Sequence, residues 1–172
     1  MRWVLITGLL LVVPVQAGNP GGASPEDLIH AMRADEQAAR LIERSVRDDC
    51  RYQKCKVDLT KCLMTIDRED LMSSLVSLAK RELTPAEIEA GTTYFRSDIG
   101  ARHLEFMWAT RETGKTYLND QESTVRAAML AFLDTPAGYR LVTRSLLTNS
   151  TEFNRMVRLK SRLVFYECQP SE

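Results

Sequence analysis

The chain has 172 residues, with 23 Lys and Arg against 23 Asp and Glu, two histidines and four cysteines. One domain of this length buries a core without needing crosslinks. Balanced charge with no basic cluster argues against a nucleic-acid partner, whose phosphates would call for a basic face.

Arg2, an apolar stretch over residues 4–13, Pro14 and the small-residue ending at Ala17 predict a cleavable signal peptide over residues 1–17. The stretch is too short for a span, which needs about 20 apolar residues, so no stable membrane anchor is expected after cleavage at Ala17. Cleavage removes one basic and no acidic residue, which leaves a formal charge of −1. The expected location is the periplasm or the secreted fraction. Residues 18–23 are glycine-rich and read as a flexible leader, and residues 24–172 as a single helical domain.

Ser24-Pro25-Glu26-Asp27 combines a hydroxyl N-cap, a proline at the first helical position and acids for the helix dipole. Leu28, Ile29 and Met32 then face inward. Asp35 is read as the cap of a second helix with Ala38, Leu41, Ile42 and Val46 on one face. Asp67 caps another, with Leu71, Met72, Leu75, Val76, Leu78 and Ala79 apolar. Thr84-Pro85-Ala86-Glu87 is a capping box. Ser97 caps a helix ending near Gly114, and Val125, Ala128, Met129 and Phe132 mark the next. Thr135-Pro136 restarts the chain, and after Asn149-Ser150 a last helix places Phe153, Met156, Val157, Leu163 and Val164 inward. No run alternates with period two. The fold class is therefore all-α, a compact bundle of about six to eight short helices.

Cys50, Cys55, Cys62 and Cys168 all follow the cleavage site, and an even number in an oxidising compartment reads as disulfides. Three connectivities are open. Cys50 and Cys62 flank a turn at Lys56-Val57-Asp58, which mildly favours Cys50 with Cys62 and Cys55 with Cys168, near the N-terminal hairpin and the C-terminal tail. The spacing, with His30 and His103 far away, fits no metal site.

One pattern occurs twice. Residues 94–104 align without gaps on residues 132–142, each reading aromatic, apolar, charged, Ser or Thr, two residues, Gly, any residue, Arg, any residue, apolar. The physical content is a helix-to-helix corner, in which Ser97 or Thr135 caps a new helix and Gly100 or Gly138 in its first turn permits close backbone approach. Glycine costs about 1 kcal/mol in a helix relative to alanine, so close packing must compensate.

The first copy with its lead-in, Leu83-Thr84-Pro85-Ala86-Glu87-Ile88, then Tyr94-Phe95-Arg96-Ser97, Gly100, Arg102 and Leu104, resembles an exported bacterial family catalogued as domain of unknown function 2059. Asp98 stands where that family's pattern has proline, while the second copy has Pro136. The resemblance implies a helical, secreted or periplasmic domain and no activity.

Chemistry has little to build on. Ser97 and His103 lie six residues apart, about 240° around a helix, so they form no local dyad. The spacing between cysteines lacks the C-x-x-C of a dithiol oxidoreductase. Asp67, Glu69 and Asp70, and Glu82, Glu87 and Glu89, are read as acids favoured at helix N-termini rather than as glycosidase pairs. The methionines Met32, Met64, Met72, Met107, Met129 and Met156 fall singly on apolar stripes and read as core. Arg155, Arg158, Lys160 and Arg162 read as the solvated face of the last helix. No cofactor and no catalytic residue is expected. Arg102 and Arg140, equivalent in the two corners, are candidate binding residues that could hold a carboxylate or phosphate bidentately or instead pair with Asp98, Asp134 or Glu105. Trp108 is a third candidate, because Phe106, Met107 and Trp108 cannot all face the core and an exposed aromatic marks a contact surface. The expected function is a non-enzymatic exported binding protein that engages a protein partner or a small apolar ligand. The alternatives are a periplasmic inhibitor or immunity protein against a toxic effector, and an enzyme with an acid and arginine site between helices.

Overall fold

The computed structural model describes residues 22–53, 58–113 and 122–167. The predicted signal peptide, Cys55, Gly114 and Cys168 lie outside the described residues. Within them the chain is all-α: nine α-helices, one π-helical turn and no strand. The order is α1 (Pro25–Met32), α2 (Ala34–Gln53), α3 (Leu59–Leu63), α4 (Arg68–Glu82), α5 (Pro85–Arg96), α6 (Asp98–Thr113), α7 (Ser123–Leu133), α8 (Pro136–Gly138), the π turn (Tyr139–Thr143) and α9 (Thr151–Glu167).

Local chemistry sets most boundaries. Ser24 accepts from the Asp27 amide at 3.1 Å while the Asp27 carboxylate accepts from the Ser24 amide at 3.0 Å, a reciprocal capping box. Thr84 and Glu87 repeat it at the start of α5. Asp67 accepts from the amides of Glu69 and Asp70, and Ser150 caps α9 through the Phe153 amide at 3.1 Å. The expected cap at Asp35 is not one. α1 ends instead on Arg33 in the left-handed conformation, φ 50°, and α2 begins at Ala34 with Asp35 already in its first turn. The chain turns within a single residue, which leaves no extended position for a capping side chain.

α2 lies along α9, α1 is wedged between α5 and α4, and α4 also touches α2 and α9. Leu28, Ile29, Met32, Ile42, Leu71, Leu75, Leu141, Leu147 and Phe153 are fully buried where these helices meet. A Cβ on Gly91 would fall 2.5 Å from Leu141 Cδ1, so a larger residue there would push the Leu141 side chain aside where α5 meets the π turn. Ala23 is no longer part of a free leader: it packs against the core and its amide donates to Glu89. Leu163 does not face inward as expected but is exposed, and Ser161 and Phe165 take the buried places beside Val164. Met64 likewise is exposed rather than core, and Lys160 is tied to Asp70 of α4. Cys50 and Cys62 are both buried.

The repeated sequence pattern builds two matching corners. In the first, Ser97 N–H and Oγ–H both donate to the Tyr94 carbonyl, at 3.0 and 2.6 Å, and Oγ accepts from the Gly100 amide at 3.1 Å. In the second, Thr135 N–H and Oγ1–H donate to the Phe132 carbonyl, at 3.0 and 2.7 Å, and Oγ1 accepts from Gly138 at 3.0 Å. A Cβ on Gly100 would lie 1.9 Å from the Tyr94 oxygen, and one on Gly138 would lie 1.9 Å from the Phe132 oxygen. The two corners then meet, because the rings of Tyr94 and Phe132 stack with centroids 3.6 Å apart at an interplanar angle of 6°. Phe95 abuts both rings edge-on.

In an ordinary exposed helix a glycine-to-alanine change stabilises by about 1 kcal/mol. Here the sign reverses: Gly100→Ala and Gly138→Ala are each expected to cost about 3 kcal/mol or more in urea unfolding, because the clashing neighbour is backbone and cannot swing away. A gain in stability for either variant would contradict the close approach.

Candidate functional site

Around the stacked rings the one buried histidine is already occupied. His103 is buried, its Nδ1 shares a 2.8 Å hydrogen bond with the Tyr94 hydroxyl, and its ring meets Tyr94 edge-on. Burial pushes the imidazole down to about 4 and the phenol up to about 12. Both groups are neutral at pH 7 and fixed as a structural pair. Ser97 is consumed by its corner and does not serve His103.

The linkage has a definite sign. An unfolded histidine titrates near 6.5, so between about pH 6.5 and 4 the unfolded chain binds a proton that the folded chain excludes. Stability is therefore expected to fall by roughly 3 kcal/mol as the pH drops through that window. Urea titrations at pH 7 and pH 4 measure it; His103→Gln should flatten this part of the slope, and an unchanged slope would show that His103 does not carry it.

Arg102 and Arg140 hold equivalent places in the two corners but are used differently. Arg102 is exposed and makes no ion pair or hydrogen bond among the described residues. Arg140 does not pair with Asp98, Asp134 or Glu105. Its Nε sits 3.0 Å from the Glu87 carboxylate and its guanidinium donates to the Glu82 carbonyl, the end of α4. Glu82 thus closes a helix rather than opening one. Glu87 is buried, which alone would raise its carboxyl, but the Thr84 amide and hydroxyl and then Arg140 outweigh burial and hold it below the usual range. Asp27 in the other box is held down to about 2, first by the Ser24 amide and hydroxyl and then by Arg96, which ties α5 to α1. A polar groove of about 790 Å³ runs past Arg140, Arg144, Tyr139 and the start of α9. Since Arg140 is half exposed, Arg140→Ala should lower stability by about 1 kcal/mol while Arg102→Ala leaves it within error. Equal losses in thermal unfolding would mean that the corner arginines act alike after all.

Trp108 stands apart from both. Phe106, Met107 and Trp108 are all half-buried, so none of the three lies wholly in the core. Together with Gln37 of α2, Val142 of the π turn, and Ser145, Thr148 and Asn149 beyond it, they line a groove of about 320 Å³. Asn149 also borders the polar groove, so the two depressions adjoin across one turn. Two polar atoms here are shut off from solvent with no hydrogen-bond partner: Gln37 Oε1 and Trp108 Nε1. Each such group costs about 1–3 kcal/mol when left unsatisfied. The guanidinium of Arg33 lies 4.6 Å and that of Arg40 5.5 Å from the centre of the indole ring, cations over its electron-rich face.

The backbone is also unusual at this groove. The only non-glycine residues with positive φ among the described residues are Arg33 and Ser145, both at φ 50°; Ser145 lines the groove, and Arg33 carries one of the guanidiniums over the indole. Ser145 holds its conformation because its carbonyl accepts from the amides of Thr148, Asn149 and Ser150 at 2.7–3.0 Å while its hydroxyl donates to Val142. Backbone in this region costs free energy that surrounding bonds must offset, and such positions concentrate at functional sites. Sequence reading picked Trp108 but not Gln37 or Ser145. Gln37 sits beside the apolar stripe of α2, and a single polar residue there carries no local mark of burial.

Among the described residues no group of three or more His, Cys, Asp or Glu side chains converges as a metal site, and no helix is long and apolar enough to cross a membrane. Compared with models of known families, with curated proteins and with solved structures, the chain matches none.

Proposed function

We propose that this chain is an exported, non-enzymatic binding module whose groove at Trp108 takes a small organic molecule. One observation carries the reading: a donor and an acceptor, Trp108 Nε1 and Gln37 Oε1, are buried without partners on residues that line the same groove. Native proteins satisfy nearly all buried polar groups, so two orphans at one concavity point to an occupant that completes them. Helices α2 and α6 supply part of the lining, and Ser145, with its positive φ, lies on it. The N-terminal pattern supports export to the periplasm or beyond with cleavage after Ala17, and the corner motif supports kinship with the exported family that it resembles. In that compartment the four cysteines, Cys50, Cys55, Cys62 and Cys168, would be paired in disulfides.

A protein partner is the second reading, an inhibitor or immunity role included. It is favoured by Leu159, Leu163 and Tyr166, which sit at i, i+4 and i+7 on α9 and are 52–70% exposed. One experiment separates the two. The exported protein is purified natively, denatured, and its released small molecules are identified by mass spectrometry beside Val142→Phe, which fills the groove, and Leu163→Lys. A stoichiometric organic molecule present in the native protein and lost only in Val142→Phe is the expected result. A co-purifying protein lost only in Leu163→Lys would replace the small-molecule reading with the partner one.

A further inference from the structure

Resting on the groove reading, we infer that the ligand presents an amide on an apolar body, its N–H directed to Gln37 Oε1 and its C=O to Trp108 Nε1. An indole N–H can only donate and a carboxamide oxygen can only accept, so the occupant must supply one acceptor and one donor. The two atoms belong to different helices, α2 and α6, so a group whose donor and acceptor are separate neighbouring atoms suits them better than a hydroxyl, which has one. A carboxylate would be drawn towards Arg33 and Arg40 and would satisfy Trp108, but it has no donor for Gln37 Oε1, so Gln37 would have to present Nε2 in its place. Arg33, moreover, is already engaged through Nε and a terminal nitrogen by Glu36, at 3.1 and 2.6 Å. Phe106, Met107 and Val142 supply the apolar wall for the rest of the molecule.

Each of these atoms exposes less than 1 Å², so contact with a ligand requires the Gln37 side chain and the indole to turn outward. Binding is then coupled to a small side-chain rearrangement, and the indole N–H reports it. Gln37 is 9% exposed and lies on the inner side of α2 next to Ala38, which limits that turn to its terminal torsions.

The test uses the full chain with Trp3→Phe, so that Trp108 is the sole indole, labelled with nitrogen-15. Benzamide, toluene, benzoate and benzyl alcohol are titrated separately while the indole N–H resonance is followed. Benzamide is expected to saturate and move the resonance downfield, with an affinity about tenfold above that of toluene, the worth of one good hydrogen bond. Gln37→Met, which keeps the side-chain length, should abolish that advantage while toluene binds as before; unchanged toluene binding also shows that the variant is folded. Benzamide no tighter than toluene, as when a bridging water alone serves the two atoms, overturns the amide inference and leaves the groove reading standing. Benzoate or benzyl alcohol binding as tightly as benzamide also overturns it. No saturable response to any of the four overturns both.

Discussion

The contact on which the remaining arrangement depends is the face-to-face stack of Tyr94 and Phe132. Each ring belongs to the last turn of a helix, and the carbonyl of each residue is the acceptor that its corner hydroxyl closes upon. The stack therefore joins two backbone turns, and with them α5, α6, α7 and α8, through side chains one bond away from the hydrogen bonds that shape the corners. Gly100 and Gly138 make this possible by leaving space for those two carbonyls. His103 finishes the cluster from α6 by holding the Tyr94 hydroxyl. A polar atom at the edge of an aromatic core is thereby satisfied without solvent.

Charge is organised around the same junctions. Glu87 caps its own helix and at the same time anchors Arg140 from the second corner, so one carboxylate couples a local signal to a tertiary one. Asp27 does the same with Arg96. Capping boxes ordinarily end in solvent; here their acids face arginines from another element, which fixes how α1, α5 and the π turn are placed relative to one another. The Asp27–Arg96 pair is as exposed as Arg47 with Glu43, so water competes for both ends of each, and the stronger tie is that of Arg140 to the buried Glu87.

Features determined within about four residues were legible in the sequence. Ser24, Asp67, Thr84, Ser97 and Thr135 all cap as their neighbours dictate, and the internal echo became a structural repeat, because a cap and a first-turn glycine are local chemistry. What depends on distant partners was not legible. Asp35 resembles a cap until Arg33 turns the chain one residue earlier. Leu163 belongs to a second apolar stripe on α9, and periodicity alone does not say which stripe meets the core. Trp108 drew notice as a large aromatic in a crowded triplet, whereas Gln37 and Ser145 matter only through burial and backbone conformation that no neighbouring residue announces.

The π turn gives the repeat a different ending in each copy. After Gly100 the helix runs on through His103 and Leu104 to Trp108, but after Gly138 the bond from the Arg144 amide reaches back five residues to Tyr139, and helical geometry stops at Thr143. Counting from the two glycines, Trp108 corresponds to Leu146, a residue already in the turn that follows. The groove is thus a product of asymmetry between two copies of one motif: the longer copy contributes its floor and the interrupted copy folds over to become its wall. Any change that restored regular α-helix beyond Thr143 would straighten that wall along the helix axis, so the concavity exists only for as long as the second copy remains the shorter one.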